Sequence, residues 1–174
     1  MLDSVTLRGF RKFFLEKNIS IDTNVLLDAH YESRGIFINN NVEIHKNVII
    51  TTGHGDKGKI KISENSKIGP NVCIYGNGGI EIGKNVMIAG NSVVVASSHN
   101  FENISVPIIN QGFSAIGIKI ADDVWIGSNS VVLDGVSIGK GSIIGCSSVV
   151  NSDIPDFSIA VGRPAKVIKM RKIN

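Results

Sequence analysis

Aliphatic residues recur along this chain at a spacing of six. The series runs Ile38, Ile44, Ile50, then Ile62, Ile68, Ile74, then Ile82, Ile88, Val94, and finally Ile120, Ile126, Val132, Ile138, Ile144, Val150. Within each unit the second position is often Gly or another small residue and the fifth is usually Val or Ser, as in IGKNVM, IAGNSV, IADDVW and IGSNSV. A period of six matches neither the 3.6-residue period of an α-helix nor an ordinary hairpin sheet. The pattern therefore predicts a repetitive structure.

The repeat predicts a three-sided prism in which each hexapeptide forms one short strand and one corner. Three hexapeptides close a coil, and stacked coils pair their strands in parallel about 4.8 Å apart. The aliphatic positions then stack in a narrow core, while Gly and Asn supply the backbone conformations that corners require. This is the pattern of the all-β, left-handed parallel β-helix. Its handedness follows from the pattern match, because crossovers between parallel strands are otherwise right-handed.

One interruption breaks the series. Val94 and Ile120 are 26 residues apart, of which one hexapeptide accounts for six. Removing residues 100–119 brings VVASSH against IADDVW in phase, so we expect a loop extruded from a continuous coil, with His99 as the last residue before it. Loops of this length in a compact fold are usually functional or disordered. Phe101 and Phe113 make this one too apolar for a free tail, so we expect it to pack against something, such as a neighbouring subunit.

The repeat divides the chain into three parts. We expect an N-terminal, helical segment over residues 1–30, the β-helix over 31–155, and a C-terminal cap with a basic tail over 156–174. The N-terminal segment mixes apolar residues with basic ones, and two interpretations stay open: packing against the fold or lying on a membrane surface. A cap at the other end would hide the open core of the last coil.

Composition excludes several classes of protein. Lys and Arg number 18 against 15 Asp and Glu, and a net charge of +3 is too mild to indicate a nucleic-acid partner. Two cysteines, Cys73 and Cys146, make no disulfide framework. We expect no signal peptide and no membrane-spanning segment. The expected location is the cytoplasm, with the inner membrane surface as the alternative that the N-terminal segment leaves open.

The stretch from Ile68 to Lys169 resembles the hexapeptide-repeat acyltransferases, especially the galactoside and maltose O-acetyltransferase branch and related polysaccharide O-acetyltransferases. The resemblance is carried by SSHNF at the start of the loop, by IADDVWIGSNSVVLDGVSIGKGSIIGCSSVV, and by DIPDFSIAVGRPAKVIK. It implies a homotrimer with three active sites between neighbouring prisms, acetyl-CoA as acyl donor, a sugar or saccharide acceptor, and no metal.

The resemblance also assigns roles to individual residues. His99 matches the catalytic base, and Trp125 matches the indole beside the pantetheine arm and the acceptor. The other residues that match coenzyme-binding positions are Ser128, Cys146, Asn151, Arg163, Lys166 and Lys169, of which Lys166 corresponds to the 3′-phosphate end. Asn71 matches an asparagine that contacts the acceptor, and Asn77 competes for that role because the repeat slips by two residues there.

Acyl transfer from a thioester to an alcohol requires a base that takes the hydroxyl proton during the attack. Histidine suits this task because its pKa lies near operating pH, and it can return the proton to the departing thiolate. Backbone N–H groups where a strand leaves its ladder can stabilise the developing oxyanion. Asn100 or Glu102 can orient the His99 imidazole, whereas His30, His45 and His54 have no comparable context. A covalent intermediate on Cys146 is disfavoured because no neighbour in the sequence activates it.

The sequence thus predicts an acetyl-CoA-dependent O-acetyltransferase that modifies a sugar hydroxyl in the biosynthesis of surface polysaccharide such as capsule or lipopolysaccharide. Transfer to an amino sugar or to an antibiotic hydroxyl is the enzymatic alternative. A zinc-dependent carbonic anhydrase on a similar prism is disfavoured, because His45, His54 and His99 lack paired spacing. The non-enzyme alternative is a β-helix that only scaffolds or binds a sugar.

Overall fold

A computed structural model describes residues 4–172. Short strands dominate these residues, and the only helices among them are two single turns of 3-10 helix, Phe10–Lys12 and Ile108–Asn110. In chain order the strands are β1 Thr6–Arg8, β2 Phe13–Leu15, β3 Ser20–Ile21, β4 Leu26–Asp28, β5 Gly35–Ile38, β6 Glu43–Ile44, β7 Ile49–Thr51, β8 Lys59–Ile62, β9 Lys67–Ile68, β10 Cys73–Tyr75, β11 Ile80–Ile82, β12 Met87–Ile88, β13 Val93–Val95, β14 Ser98–His99, β15 Phe113–Ser114, β16 Ile118–Ile120, β17 Trp125–Ile126, β18 Val131–Val132, β19 Ser137–Ile138, β20 Ile143–Ile144, β21 Val149–Val150, β22 Ser158–Gly162 and β23 Ala165–Met170.

These strands form the three faces of a prism. Sheet A contains β1, β4, β7, β10, β13, β18 and β21; sheet B contains β2, β5, β8, β11, β16 and β19; sheet C contains β3, β6, β9, β12, β17, β20, β22 and β23. Within each sheet every strand pairs in parallel with the strand one coil away, apart from the antiparallel pair β22 and β23. This is the parallel β-helix that the six-residue period predicts.

The core is a set of aliphatic ladders. Ile74, Ile88 and Ile126 are fully buried, or nearly so, and each lies above an inward-facing residue of the coil below. Small residues fill the remaining inward space near the corners, where the buried Ser92 hydroxyl donates to the Gly127 carbonyl at 3.1 Å. Among the described residues no buried side-chain nitrogen or oxygen lacks a hydrogen-bond partner. The fifth position is therefore small because it completes both the packing and the hydrogen bonding of a corner.

Two of the three corners are built on asparagine. At the corner between sheets C and A, the CA corner, Asn24, Asn47, Asn71 and Asn91 occupy equivalent positions with φ of 55° to 62°. Asparagine tolerates this left-handed conformation better than most residues. Their amides form a ladder, in which Asn47 donates to Asn71 at 2.9 Å and Asn71 donates to Asn91 at 3.0 Å. The same arrangement at the corner between sheets B and C, the BC corner, explains why both corners keep strict six-residue spacing.

All extra residues collect at the third corner, the AB corner, where the chain passes from sheet A to sheet B. A regular hexapeptide separates inward positions by six, but the spacings here are 11 between Leu27 and Ile38, 12 between Ile50 and Ile62, 8 between Ile74 and Ile82, and 26 between Val94 and Ile120. The chain nevertheless rejoins in register, since Ile118 pairs with Ile80 and Ile120 with Ile82. Gly117 allows this return: its φ is +114°, and a Cβ there would lie 2.8 Å from the Gly78 carbonyl oxygen.

The N-terminal segment is not the helix that we expected. Residues 6–21 instead form the first coil of the prism through β1, one turn of 3-10 helix, β2 and β3. Leu7 pairs with Leu27 and Leu15 with Ile38, so their side chains continue the inward ladders, although each remains 45% exposed at this end of the core. Strand pairing with the next coil outweighs the helix-like spacing of the apolar residues.

The C-terminal residues close the opposite end as an antiparallel hairpin of β22 and β23. Arg171 anchors the hairpin, because its Nη1 donates to the Gly141 carbonyl at 2.6 Å and to Asp123 Oδ2 at 3.0 Å. No helix among residues 4–172 has the length and apolarity to cross a membrane.

Candidate functional site

His99 lies in a hairpin that leaves the AB corner. Ser98 and His99 form β14, which pairs in antiparallel fashion with Phe113 and Ser114 of β15. The loop therefore begins before residue 100, and the chain is back on the prism by Ile118. Directly opposed residues of an antiparallel pair project to the same face of the ribbon. The His99 and Phe113 side chains therefore share one face.

Gln111 holds the body of the loop together. Its Oε1 accepts from the Asn103 N–H at 3.1 Å, and its Nε2 donates to the carbonyls of Asn103 at 2.9 Å and Val106 at 2.7 Å. The loop surface nevertheless remains apolar, with Ile104 fully exposed and Ile109 81% exposed. Within one chain the loop is thus ordered by its own polar contacts.

The two residues proposed to orient the imidazole are engaged elsewhere. Asn100 Nδ2 donates to the Gln111 carbonyl at 3.0 Å, and Glu102 Oε2 accepts from the Phe101 N–H at 3.1 Å. Neither ring nitrogen of the exposed His99 hydrogen-bonds to another group in residues 4–172. Both nitrogens are therefore accessible to a substrate.

A cleft next to this hairpin, the AB cleft, has a volume of about 210 Å³. Its walls come from the insertion after β7, from the turn after β10 and from the returning limb of the hairpin: His54, Gly55, Asp56, Lys57, Asn77, Phe113 and Ala115. Lys57 ties two walls together, because its Nζ donates to the Ala115 carbonyl at 3.2 Å. His99 does not itself line the cleft, but it projects to the same face of the hairpin as Phe113, which forms the aromatic wall.

Three of the predicted coenzyme-binding residues follow another edge of the prism. Trp125 projects from sheet C, 45% exposed, between Met87 and Ile143 on the neighbouring strands. Ser128 and Cys146 lie on successive coils at the CA corner, Cys146 being exposed. Gly127 makes the close approach of these coils possible, since a Cβ there would lie 2.6 Å from the Cys146 nitrogen.

The basic residues lie at the C-terminal end of the same edge. Arg163 Nε donates to the Ser147 carbonyl at 2.7 Å, which fixes its guanidinium at the CA corner. Lys166 and Lys169 are exposed on β23, where they pair with Val161 and Ile159. Asn151 is exposed just after β21, at the start of the AB corner of its coil, and so lies apart from this group.

The two asparagines proposed for acceptor binding lie at different corners. Asn71 belongs to the CA ladder, and both ends of its amide bond to neighbouring asparagines. Asn77 lies at the AB corner and lines the AB cleft. It packs so closely against Gly53 that a Cβ added to this glycine would overlap the Asn77 side chain. Within one chain Asn77 is therefore the asparagine that shares a corner with His99.

Sheet A separates the two groups of residues. His99 lies at its AB edge, and Ser128, Cys146 and Arg163 lie at its CA edge. The outer face of sheet A carries a stripe of half-buried apolar residues on five strands: Ile49, Cys73, Val93, Val131 and Val149. Tyr75 lies beside the stripe, and burial raises the pKa of its phenol above the usual value of 10, with a smaller contribution from its hydrogen bond to Cys73.

Sequence reasoning missed three residues of the AB corner. His30 and His54 had no context in the repeat, and Phe113 was only one of several apolar loop residues. The irregular spacing of the repeat could have predicted that these residues lie close together, because residues in successive insertions at the same corner stack on one another.

Comparison with known proteins gives one family match and several relatives. Residues 117–152 match the family model of the bacterial transferase hexapeptide (six repeats). A probable acetyltransferase of Mycobacterium tuberculosis is 35% identical over 182 residues, covering 96% of this chain and 61% of the relative. A putative acetyltransferase of Schizosaccharomyces pombe is 43% identical over 91 residues, covering 52% of this chain and 42% of the relative. The chain thus spans about three fifths or less of these curated relatives.

Two solved structures are similar over most of the chain. A point mutant of the N-acyltransferase AntD from Bacillus cereus, in complex with dTDP and coenzyme A, has 27% identity and a TM-score of 0.77, covering 94% of this chain and 88% of AntD. A maltose O-acetyltransferase from Clostridium difficile has 26% identity and a TM-score of 0.57, covering 94% of this chain and 68% of that protein. These matches confirm the left-handed β-helix and the predicted resemblance to hexapeptide-repeat acyltransferases.

Proposed function

We propose that this chain is an acetyl-CoA-dependent O-acetyltransferase that modifies a sugar hydroxyl in the biosynthesis of surface polysaccharide. The observation that carries the proposal is the position of His99. It lies on a hairpin extruded from a hexapeptide prism similar to CoA-binding acyltransferases, and it projects to the same face as Phe113, which lines the AB cleft. A scaffolding β-helix has no need of an accessible imidazole at such a cleft.

His99 provides the proton transfers of the proposed reaction. Its imidazole accepts the hydroxyl proton while the sugar oxygen forms a bond to the thioester carbonyl carbon. The C–S bond then breaks, and the imidazolium returns the proton to the sulfur of the leaving coenzyme. A positioned general base contributes about 10²–10⁴-fold to a rate. The Asn77 amide and the Lys57 ammonium, which line the AB cleft from different segments, hydrogen-bond the sugar.

The coenzyme is proposed to bind along the CA edge. The Trp125 indole offers an apolar face to the pantetheine arm, Ser128 and Cys146 line the path, and Arg163 with Lys166 and Lys169 supplies positive charge for the phosphates. These positions fit an elongated, anionic ligand, because the apolar surface leads into a cluster of cations. No metal ion takes part in the proposed mechanism.

A homotrimer follows from the separation of the two groups. We propose that heterologous contacts around a threefold axis cover the apolar stripe of sheet A and bring the AB corner of one copy to the CA edge of the next. The catalytic His99 and the coenzyme then come from different subunits. The exposed Ile104 and Ile109 of the loop are covered by the neighbouring prism in this arrangement.

Transfer to an amino sugar is the second candidate, and a specific observation favours it. The N-acyltransferase AntD has the higher TM-score of the two solved relatives, and one of its structures contains dTDP-4-amino-4,6-dideoxyglucose. The product distinguishes the two activities, because hydroxylamine cleaves an ester but leaves an amide intact.

Thiol release from acetyl-CoA tests the proposal. The acceptors are maltose, N-acetylglucosamine and dTDP-4-amino-4,6-dideoxyglucose, and transfer should yield a hydroxylamine-sensitive product. We expect His99→Ala to lower kcat by about 10²–10⁴-fold. His45→Ala is the control, since this exposed histidine lies outside both groups of site residues and should leave the rate unchanged. Absence of both CoA binding and thiol release with every acceptor would refute the enzyme interpretation.

A further inference from the structure

Two histidines contact each other on successive insertions of the AB corner. His30 follows β4 and His54 follows β7, and the distance from His54 Nδ1 to His30 Nε2 is 3.0 Å. Their ring centroids are 4.3 Å apart at an interplanar angle of 65°. Across the described residues no third His, Cys, Asp or Glu joins them to make a metal site. The contact is therefore a hydrogen bond between two imidazoles.

Local contacts fix the orientation of His30. Its backbone N–H donates to Thr52 Oγ1 at 2.9 Å, and its carbonyl accepts from the Ser33 hydroxyl at 2.7 Å. The Tyr31 ring packs against the imidazole with 4.3 Å between centroids. Its Nδ1 accepts from the Glu32 N–H at 3.4 Å, and Glu32 Oε2 lies 4.0 Å from the same nitrogen, beyond hydrogen-bond distance. The backbone of His30 is thus fixed by hydrogen bonds, one face of its ring by packing against Tyr31, and its Nδ1 by a hydrogen bond.

The shorter of the two contacts between His30 Nδ1 and Glu32 favours one tautomer for each ring. A neutral imidazole has one donor and one acceptor nitrogen. Because His30 Nδ1 accepts from Glu32, the neutral ring carries its proton on Nε2 and donates it to His54 Nδ1. His54 in turn carries its own proton on Nε2. The free polar atom of His54 is therefore an N–H donor.

His54 lines the AB cleft together with Phe113 and Asn77. The cleft volume of about 210 Å³ lies below the roughly 300–1,000 Å³ of pockets for drug-sized ligands, so it suits a single sugar ring. An aromatic wall packs against the C–H face of such a ring, while polar walls hydrogen-bond its hydroxyls.

Resting on the proposed function, we propose that His54 determines acceptor specificity by donating its Nε2–H to an oxygen of the sugar acceptor, and that His30 is the positioning residue that fixes this tautomer. A sugar that presents an oxygen acceptor at this point binds more tightly than one with a deoxy position or an ammonium group there, by the range of one neutral hydrogen bond. His54 lies two coils and His30 three coils from the coil that carries His99.

Steady-state kinetics of four variants test this inference, with the acceptor that the thiol-release panel identifies. His54→Phe removes the donor and should raise the acceptor KM about three- to tenfold, the range of one neutral hydrogen bond. His54→Gln keeps an N–H donor and should recover most of the loss. His30→Phe frees His54 Nδ1 and should raise the KM about twofold, and His30→Gln, which again donates to that nitrogen, should restore it. The KM for acetyl-CoA should stay unchanged in all four.

Long-range ¹H–¹⁵N correlation of the neutral imidazoles supplies a readout independent of activity. We expect the proton of His54 on Nε2 in the unmodified chain, and a mixture of tautomers in His30→Phe. The signals of His54 are identified by their absence from the spectrum of His54→Gln.

The outcomes separate this inference from the proposed function. A His54 proton on Nδ1 in the unmodified chain overturns the inference, as does an unchanged acceptor KM in both His54 variants while transfer persists. Either result leaves the proposed function standing. Absence of transfer by the unmodified chain overturns the proposed function, and the acceptor role of His54 falls with it.

Discussion

Asn71 offers a sharp test of how the prism is built. Its φ is +59°, its Oδ1 accepts from Asn47 at 2.9 Å and its Nδ2 donates to Asn91 at 3.0 Å. Asn71→Ala removes both exposed hydrogen bonds, which together contribute about 1–2 kcal/mol. It also forces a Cβ without a compensating polar group into the left-handed region, which costs about 1 kcal/mol more. The expected loss is about 2–3 kcal/mol.

Asn71→Gly separates the two contributions. Glycine loses the same hydrogen bonds but adopts positive φ freely, so we expect it to be about 1 kcal/mol more stable than Asn71→Ala. For a chain of this size 1 kcal/mol shifts the Tm by about 3 °C. Thermal unfolding followed by circular dichroism, with denaturant titration as a second measurement, resolves such differences.

Asn47→Ala is the matched control, because Asn47 has φ of +60° and accepts and donates in the same ladder. We expect equal losses of stability for Asn47→Ala and Asn71→Ala. If Asn71 also contacts the acceptor, as the resemblance to acetyltransferases implies, only its variants raise the acceptor KM. A glycine variant as unstable as the alanine variant would refute the backbone argument. Unequal losses at Asn47 and Asn71 would refute the equivalence of the ladder positions.

Two further predictions concern the loop and the outer face of sheet A. Gln111→Ala removes three hydrogen bonds within the loop, so we expect faster proteolysis of the loop and a lower kcat. The Tm should stay within about 2 °C of that of the unmodified chain, and a large fall in Tm would contradict this prediction. Burial raises the pKa of Tyr75, so the folded chain retains this phenol proton at pH values where the unfolded chain has lost it. Its stability relative to Tyr75→Phe should therefore fall as the pH rises above 10. Ultraviolet difference titration should place the pKa of Tyr75 above 10, and Tyr75→Phe should remove that transition.

The six-residue period was sufficient to predict the coils from Ile38 to Val150, because the inward ladder persists and the left-handed corner positions recur, although Asp123, Gly141 and Ser147 replace asparagine in the later coils. It failed at the first coil, where the insertion between Leu7 and Leu15 breaks the series and leaves helix-like spacing. It also gave no information on the contact between His30 and His54. That contact depends on two irregular insertions that stack on successive coils, and no local pattern encodes the distance between them.

The concentration of insertions at one corner has a physical origin with a functional consequence. The BC and CA corners turn through left-handed residues in hydrogen-bonded ladders, so an extra residue there breaks contacts with two neighbouring coils. The AB corner returns to sheet B through Gly117 and its counterparts, and strand register is restored however long the excursion is. Variation therefore accumulates where His99 and the AB cleft lie, while Trp125 and Ser128 remain on regular hexads. Under the proposed function, changes in acceptor specificity arise at the AB corner by insertion and substitution, and donor binding stays fixed by the repeat.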